Sequence, residues 1–438
     1  MVDTQDRPNI IFIVTDDQRA NALGYAGNDI IQTPEMDKLA REGTYFRNAF
    51  VTTPICAASR ASIMTGLYER SHGYTFTKPP LKQEYIKNSY FALLQEAGYH
   101  NGFIGKFGVK FENNLDSSLF DVYHSESQGA YYMMGDSMSK DHLTDRIGQK
   151  AIDFIAGAPQ DRPFCLSLSF WAPHAVDPAP EQYVWPKRHD NLYTDITIPE
   201  PEMSSDKDFE KLPHAVKVGF NRTRWKWRFD NPEKYQQMVK GYYRMLTAID
   251  DNIGRIRKAL AENGMAENTV IILIGDNGYF LGERQMAGKW LMYDLSLKVP
   301  LIIHNPLAQS PTEVSDMVLN LDVTPTILDF ANVDVPSSYH GYSLRAYTNS
   351  SRQDPDARES FLCEHLWDFE HIPPSEGIRT DEFKYFRYIN NPEIEELYDL
   401  KNDPKEGTNL VGDEEYSKIL ASLREECNRK VNILMKNP

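Results

Sequence analysis

Asn9-Ile10-Ile11-Phe12-Ile13-Val14-Thr15-Asp16-Asp17 is the stretch on which the fold turns. Its apolar run is short, rich in β-branched residues and continuous, which predicts a strand buried on both faces. Thr269-Val270-Ile271-Ile272-Leu273-Ile274-Gly275-Asp276-Asn277-Gly278 repeats the pattern far downstream. Around these two, helical patterns over 34–42, 88–97, 141–156 and 232–263 alternate with apolar runs at 99–104, 164–170 and 299–304. That alternation predicts an α/β layered fold around a large, mostly parallel sheet. After about Gly341 come short β-like pieces (359–364, 383–389) and a charged helix over 414–430, which predicts a smaller antiparallel sheet packed with one helix. The expected division is an α/β domain over 1–340 and a smaller α+β subdomain over 341–438. Residues 175–232 are rich in Pro, Asp and basic-aromatic clusters without a period, and are expected to form a long surface excursion that faces substrate.

The 438 residues carry 47 Lys and Arg against 63 Asp and Glu, a formal net charge of −16. Such an acidic chain is a poor partner for nucleic acid, whose backbone demands clustered positive charge. The longest aliphatic or aromatic runs are about five residues, far short of a membrane span. Met1 to Pro8 is polar with no apolar leader core, so a cytoplasmic protein or a mature form with its leader removed is expected. The 4 cysteines (Cys56, Cys165, Cys363, Cys427) are scattered, with no C-x-x-C pair, and so make neither a disulfide framework nor a zinc site.

Both quoted strands run into acidic or amide residues. Sites in open α/β sheets lie beyond the carboxyl ends of strands, so Asp16, Asp17, Asp276 and Asn277 are expected around one crevice. Three anionic side chains and an amide need a cation, and oxygen ligands without sulfur or imidazole favour Ca²⁺ or Mg²⁺ over zinc. Stripped of that ion, the carboxylates are expected to repel one another and to lower stability.

Between the two strands lies Thr53-Pro54-Ile55-Cys56-Ala57-Ala58-Ser59-Arg60-Ala61-Ser62-Ile63-Met64-Thr65-Gly66. The pattern is helical from Ala57, which sets Cys56 near a helix N-terminus, where anions and thiolates are favoured. Arg60 follows Cys56 by four residues, not the six of a thiolate phosphatase, and that spacing disfavours an unmodified thiol enzyme.

Cys56-Ala57-Ala58-Ser59-Arg60 resembles the C-x-[P/A]-x-R signature of the type I sulfatases. The resemblance runs in order from residue 8 to about 410. Pro8 to Gln18 looks like the family's opening strand, and Thr33 to Leu39 with Gly43 to Phe46 like its next element. Gly275 to Gly278 is similar to its second metal segment, and Gly288-Lys289-Trp290 to its downstream lysine. Glu395 to Leu400, Asp403-Pro404, Glu406 and Asn409-Leu410 look like its tail. The resemblance implies an alkaline-phosphatase-like α/β/α sandwich and a sulfuric ester hydrolase. It implies oxidation of Cys56 to formylglycine by a maturation enzyme, the hydrated aldehyde being the nucleophile. Asp16, Asp17, Asp276, Asn277 and the oxidised Cys56 would hold the metal. Arg60 would steady the formylglycine oxygens, Lys106 would bind them and the sulfate, Lys289 would contact sulfate, and His174 would stand near the leaving oxygen. A metal and three cationic side chains suit the charge of sulfate transfer, and a His or Lys can protonate the departing oxygen.

One position departs from the family. Gly105-Lys106-Phe107-Gly108 carries glycine where the family commonly reads G-K-W-H, a histidine credited with helping to release sulfate. His72, His142, His304 and His365 stand unranked as replacements. Arg222-Thr223-Arg224-Trp225-Lys226-Trp227-Arg228 interleaves cations and indoles, which suits an anionic sugar. Trp171, Arg222, Trp225 and Arg228 are therefore expected to bind a sulfated oligosaccharide or polysaccharide. The alternatives are a phosphodiesterase or phosphonate monoester hydrolase of the same fold, and a non-catalytic sulfated-glycan-binding relative. Because sulfated glycans are mostly extracellular, a periplasmic or secreted location is expected, with a cytoplasmic one as the alternative.

Overall fold

Strand β1 (Asn9–Thr15) lies inside an eight-stranded sheet in the computed structural model. The structure describes residues 7–436 apart from 77, 115, 128–130, 132–140, 178, 309, 350–356 and 370. The chain continues through α1 (Pro34–Glu42), β2 (Thr44–Phe50), α2 (Cys56–Thr65), α3 (Tyr90–Glu96), β3 (His100–Gly105), β4 (Val122–Ser125) and α4 (Leu143–Ala156). Then follow β5 (Phe164–Phe170), α5 (Phe220–Arg228), α6 (Pro232–Glu262), β6 (Thr269–Gly275), the ribbon strands β7 (Phe280–Leu281) and β8 (Ala287–Gly288), β9 (Leu301–His304), β10 (Thr312–Leu319) and α7 (Val323–Phe330). The large sheet has the order β10-β2-β9-β6-β1-β5-β3-β4. All its pairings are parallel except those of β9, which runs against both β2 and β6.

The unbroken apolar run of β1 is explained by two cores. Ile10, Phe12 and Val14 enter one with Ala61, Phe91 and Leu328 from α2, α3 and α7. Ile11 and Ile13 enter the other with Leu39, Ile147 and Ile249 from α1, α4 and α6. With a helical layer on each face, every side chain of the strand faces apolar surroundings, as a buried parallel sheet requires.

The second sheet is antiparallel, in the order β11 (Ser360–His365), β12 (Ser375–Thr380), β13 (Phe383–Tyr388), β14 (Asn391–Asp399). Helix α8 (Ser417–Lys436) covers one face through Leu420, Leu423 and Cys427. The other face meets the large sheet, with Phe361 against Phe50 at 5.3 Å between ring centres. Lys384, fully buried on β13, pairs with Asp294 and with Glu406 (2.6 Å).

The structure corrects the expectation of an irregular excursion over 175–232: residues 220–228 form helix α5. Its buried positions are Asn221, Arg224 and Arg228, so the helical period is carried by polar residues and is invisible to hydrophobicity.

Asp250 on α6 accepts the N–H groups of Glu35 (3.1 Å) and Met36 (2.7 Å) and so caps α1 from a neighbouring helix. Burial, helped by Glu35 and Asp37, pushes its carboxyl up from 3.8 to about 7 against those hydrogen bonds. A carboxyl with a higher pKa folded than unfolded adds most stability below roughly pH 4, and that share is lost as pH rises through the folded value. The melting temperature is therefore expected to fall between pH 4 and 7, and Asp250→Asn to flatten that slope. An unchanged slope in the variant refutes the assignment.

Candidate active site

Register brings the strand ends level. Thr15 pairs with Gly275 on one side and Phe170 on the other, and Gly105 pairs with Ser169. Asp16 and Asp17 after β1, Asp276 and Asn277 after β6, Lys106 after β3 and Trp171 to His174 after β5 thus leave neighbouring strands at one edge. Asp17 turns the chain with φ +63°, and its N–H donates to Asp276 Oδ1 (3.1 Å). Asp17 Oδ1 accepts from Asn277 Nδ2 (2.7 Å) and Lys289 Nζ (2.5 Å). Lys106 Nζ pairs with Asp16 Oδ2. Gly105 permits this approach: its φ is +110°, and a Cβ there would lie 1.9 Å from the Ser169 carbonyl oxygen. Lys289 arrives from the β7–β8 ribbon, between Gly288 (φ +100°) and Trp290 (φ +84°).

Cys56 is the first residue of α2, all of whose residues are buried. Arg60, one turn on, donates from Nε to Asp276 Oδ2 (2.8 Å) and from Nη1 to the Lys106 carbonyl (2.8 Å) and the Ser169 hydroxyl. Its Nη2 is buried without a hydrogen-bond partner. At Gly108 (φ +74°) a Cβ would come 2.9 Å from Arg60 Cδ. A histidine at that position would displace Arg60, so the glycine and the pose of Arg60 go together.

Ion pairs interleave the carboxylates of Asp16, Asp17 and Asp276 with the cations of Lys106, Lys289 and Arg60. Each carboxylate has a cation beside it, which offsets part of the repulsion expected among them without a metal. Burial favours the neutral form of Asp16, but Lys106 and Lys289 hold its carboxyl well below the usual range. Asp17 is lowered as well, against its burial, chiefly by Lys289. Burial, reinforced by Asp16, pushes Asp276 up to about 6 in spite of Arg60. Lys289, which burial alone would lower, is raised well above its ordinary value by Asp17 and its neighbours.

Two acceptors are left over. Asp16 Oδ1 and Asn277 Oδ1 are buried and receive no hydrogen bond. Ligand atoms of Asp16, Cys56 and Asp276 all lie within 4.8 Å of one another, as do those of Asp16, Asp17 and His174. A buried carboxylate oxygen and a buried amide oxygen, both without donors, fit a hard divalent cation.

His174 Nδ1 lies 2.7 Å from the Ala175 carbonyl, which only accepts, so Nδ1 carries the proton; Nε2 is 3.9 Å from Asp17 Oδ2. Burial lowers this imidazole to about 4 despite Asp16 and Asp17, which leaves it neutral at pH 7. Lys106 Nζ sits 4.6 Å from the centre of the Trp171 ring, whose N–H donates to the Glu126 carbonyl (2.7 Å).

The basic-aromatic cluster is arranged differently from expectation. Arg222 donates to Gln285 Oε1 (2.7 Å) and stacks 4.0 Å from the half-buried Trp225 ring. Arg228 is 0% exposed: it donates to Gln182 Oε1 and Tyr279 Oη (2.6 Å each) and pairs with Asp177. This corrects the expectation that Arg228 meets substrate; it stands behind the site, where Tyr279 stacks on Tyr242 and Tyr242 donates to the Asp17 carbonyl (2.7 Å). The unranked histidines lie elsewhere. His72 bonds Ser62 (3.0 Å), His142 caps α4, His304 pairs with Ile271 at the far end of β6, and His365 is buried on β11. Sequence reasoning missed Ser169, Asp177 and Tyr242. Only Ser169 leaves a signal, since Ser167 and Ser169 alternate in the otherwise apolar Phe164 to Phe170 strand.

The family described as Sulfatase matches residues 8–333, and that described as N-sulphoglucosamine sulphohydrolase, C-terminal, matches residues 282–432. The chain is 30% identical to an N-acetylglucosamine-6-O-sulfatase of Bacteroides thetaiotaomicron, covering 97% of this chain and 87% of that protein. It is 31% identical to an arylsulfatase of Clostridium perfringens, over 95% of this chain and 93% of that one. A solved structure of a protein in complex with its substrate D-glucosamine-2-N,6-O-disulfate superposes with a TM-score of 0.81 at 29% identity, covering 98% of this chain and 99% of that chain.

Proposed function

Since this chain belongs to the sulfatase family and is a sulfuric ester hydrolase, we propose that it removes sulfate from a sulfated carbohydrate, a 6-O-sulfated glucosamine unit, at the crevice around Cys56. The substrates named in these two comparisons support the sugar. The observation that carries the reading of the site is the interleaving of Asp16, Asp17 and Asp276 with Lys106, Lys289 and Arg60. Such a cluster is near neutral by itself and becomes a strong anion site when a divalent ion is added.

The family uses formylglycine and a divalent metal. We assign the ion to Asp16, Asp17, Asp276, Asn277 and the residue derived from Cys56, and propose Ca²⁺, with Mg²⁺ as the alternative. When present, the ion supplies Lewis acidity toward sulfate oxygens and the oxidised Cys56 supplies the attacking oxygen. Arg60 keeps Asp276 ionised through Nε and has Nη2 to offer an anion. Lys106 and Lys289 hold positive charge against the sulfate while Asp16 and Asp17 fix their ammonium groups. His174 is assigned to the leaving oxygen. Its ring is neutral at pH 7 with the proton on Nδ1, so Nε2 first takes a proton from solvent, which an anion arriving beside it favours, and then gives it to the leaving oxygen. Trp171 lines the approach beside Lys106. Oxidation of Cys56 calls for a maturation enzyme as partner, and the substrate class favours a periplasmic or secreted location. Among the described residues no helix is long and apolar enough to cross a membrane.

The test follows sulfate release from N-acetylglucosamine 6-sulfate beside the matched 6-phosphate, with and without chelator. Sulfate should be released faster than phosphate, chelation should abolish release, and Ca²⁺ should restore it. The accompanying loss of thermal stability should be modest, because the carboxylates keep their cations. Faster cleavage of the phosphate ester would overturn the substrate reading. Indifference to chelator, with no metal by elemental analysis, would overturn the ion assignment.

A further inference from the structure

A row of aromatic rings that no step above uses runs outward from the site. Ile55 and Trp290, sequence neighbours of Cys56 and Lys289, pack into one apolar cluster with Ala58 and Ile372, and Phe220 and Trp367 lie against it. Phe220 meets Trp290 at 5.7 Å between ring centres and Phe369 at 6.4 Å. Trp367 stacks on Phe369 at 4.8 Å with 13° between the planes, and leans on Phe76 at 4.6 Å. The rings come from four separate stretches: the turn before residue 77, the start of α5, the segment after β8, and the connection from β11 to β12. Trp290 is buried at the inner end, while Phe76 and Phe369 at the outer end are each 37% exposed.

A core would bury such rings. This row begins at the residues next in sequence to Cys56 and Lys289 and surfaces at its far end, a form that suits the lining of a binding site. Polarity gives the row a direction. Arg224, paired with Asp177, covers Trp290 at 4.4 Å at the inner end, and uncharged ring faces are left at the outer end. The indole N–H of Trp290 is buried without an acceptor. Flat aromatic faces match the C–H face of a pyranose while leaving its hydroxyls at the rim in water.

We infer that Trp367 and Phe369, with Phe76, form a stacking shelf for the pyranose joined to the sulfated sugar, and so favour sulfate carried on an oligosaccharide over the free monosaccharide. This rests on the carbohydrate reading of the site. The experiment measures kcat/KM for glucosamine 6-sulfate as the free sugar and as the non-reducing end of a disaccharide. Phe369→Ala removes an exposed ring, and Trp367→Leu keeps apolar volume while removing the flat face. Both variants should lose about tenfold more on the disaccharide than on the monosaccharide, chiefly through KM. Equal losses on the two sugars, or no loss on either, with the wild-type enzyme active on both, overturn the shelf alone. A wild-type enzyme that releases sulfate from neither sugar but cleaves 4-nitrophenyl sulfate overturns the carbohydrate reading, and the shelf with it.

Discussion

Arg60→Ala is expected to cut sulfate release by roughly 10³-fold and to destabilise the fold by about 3–5 kcal/mol. Both effects have one cause. The Arg60 guanidinium partners Asp276, the Lys106 carbonyl and Ser169 in a buried setting, and its removal strands all of them. Burial and Asp16 already push Asp276 up to about 6, with Arg60 the leading counterweight. Without it the upward push on Asp276 is opposed less, and the proposed ion meets a carboxyl that is harder to keep ionised. Arg60→Lys restores a charge but not the fork that reaches Asp276 and Lys106 at once, so activity should stay low while part of the stability returns. Urea unfolding and initial rates of sulfate release check both halves. A stable, active Arg60→Ala enzyme would remove the arginine from the site.

Arg228→Ala is expected to destabilise by about 2–4 kcal/mol, by leaving Gln182 and Tyr279 without their donor while Asp177 keeps only Arg224. Its effect on sulfate release should follow the loss of folded protein, since the guanidinium is spent on internal partners. Trp225→Ala, at a half-buried ring, should cost far less stability. If Arg228→Ala melts with the wild type and differs only in KM for the sulfated sugar, the side chain meets substrate after all and its inward partners are incidental.

How much of this was legible in the sequence depended on where polarity fell. β1 and β6 announce themselves because six consecutive β1 side chains and all of β6 are buried, so an apolar run ends sharply at Asp16 and Asp276. β2 and β10 hide, since Arg47, Glu313 and Ser315 project to solvent and break the apolar signal. Four residues of β9 say strand but not direction, and direction is what makes it antiparallel. The carboxylates, Cys56, Arg60 and the two lysines could be picked out singly. Their alternation of sign could not, because Lys106 and Lys289 belong to segments whose approach is fixed by β3 and by the short ribbon. α5 misled for a simple reason: its buried stripe of Asn221, Arg224 and Arg228 is polar.

The position of β1 also sets a timetable. Ile10 pairs with Cys165 on one side and Val270 on the other, so β1 leaves the ribosome well before the strands that complete it. Until then it is an apolar ribbon with open edges, a hazard for aggregation and a reason for slow folding. Asp16 and Asp17 spend that interval without Lys289, and the segment Cys56 to Thr65, buried in the finished protein, is reachable along its whole length.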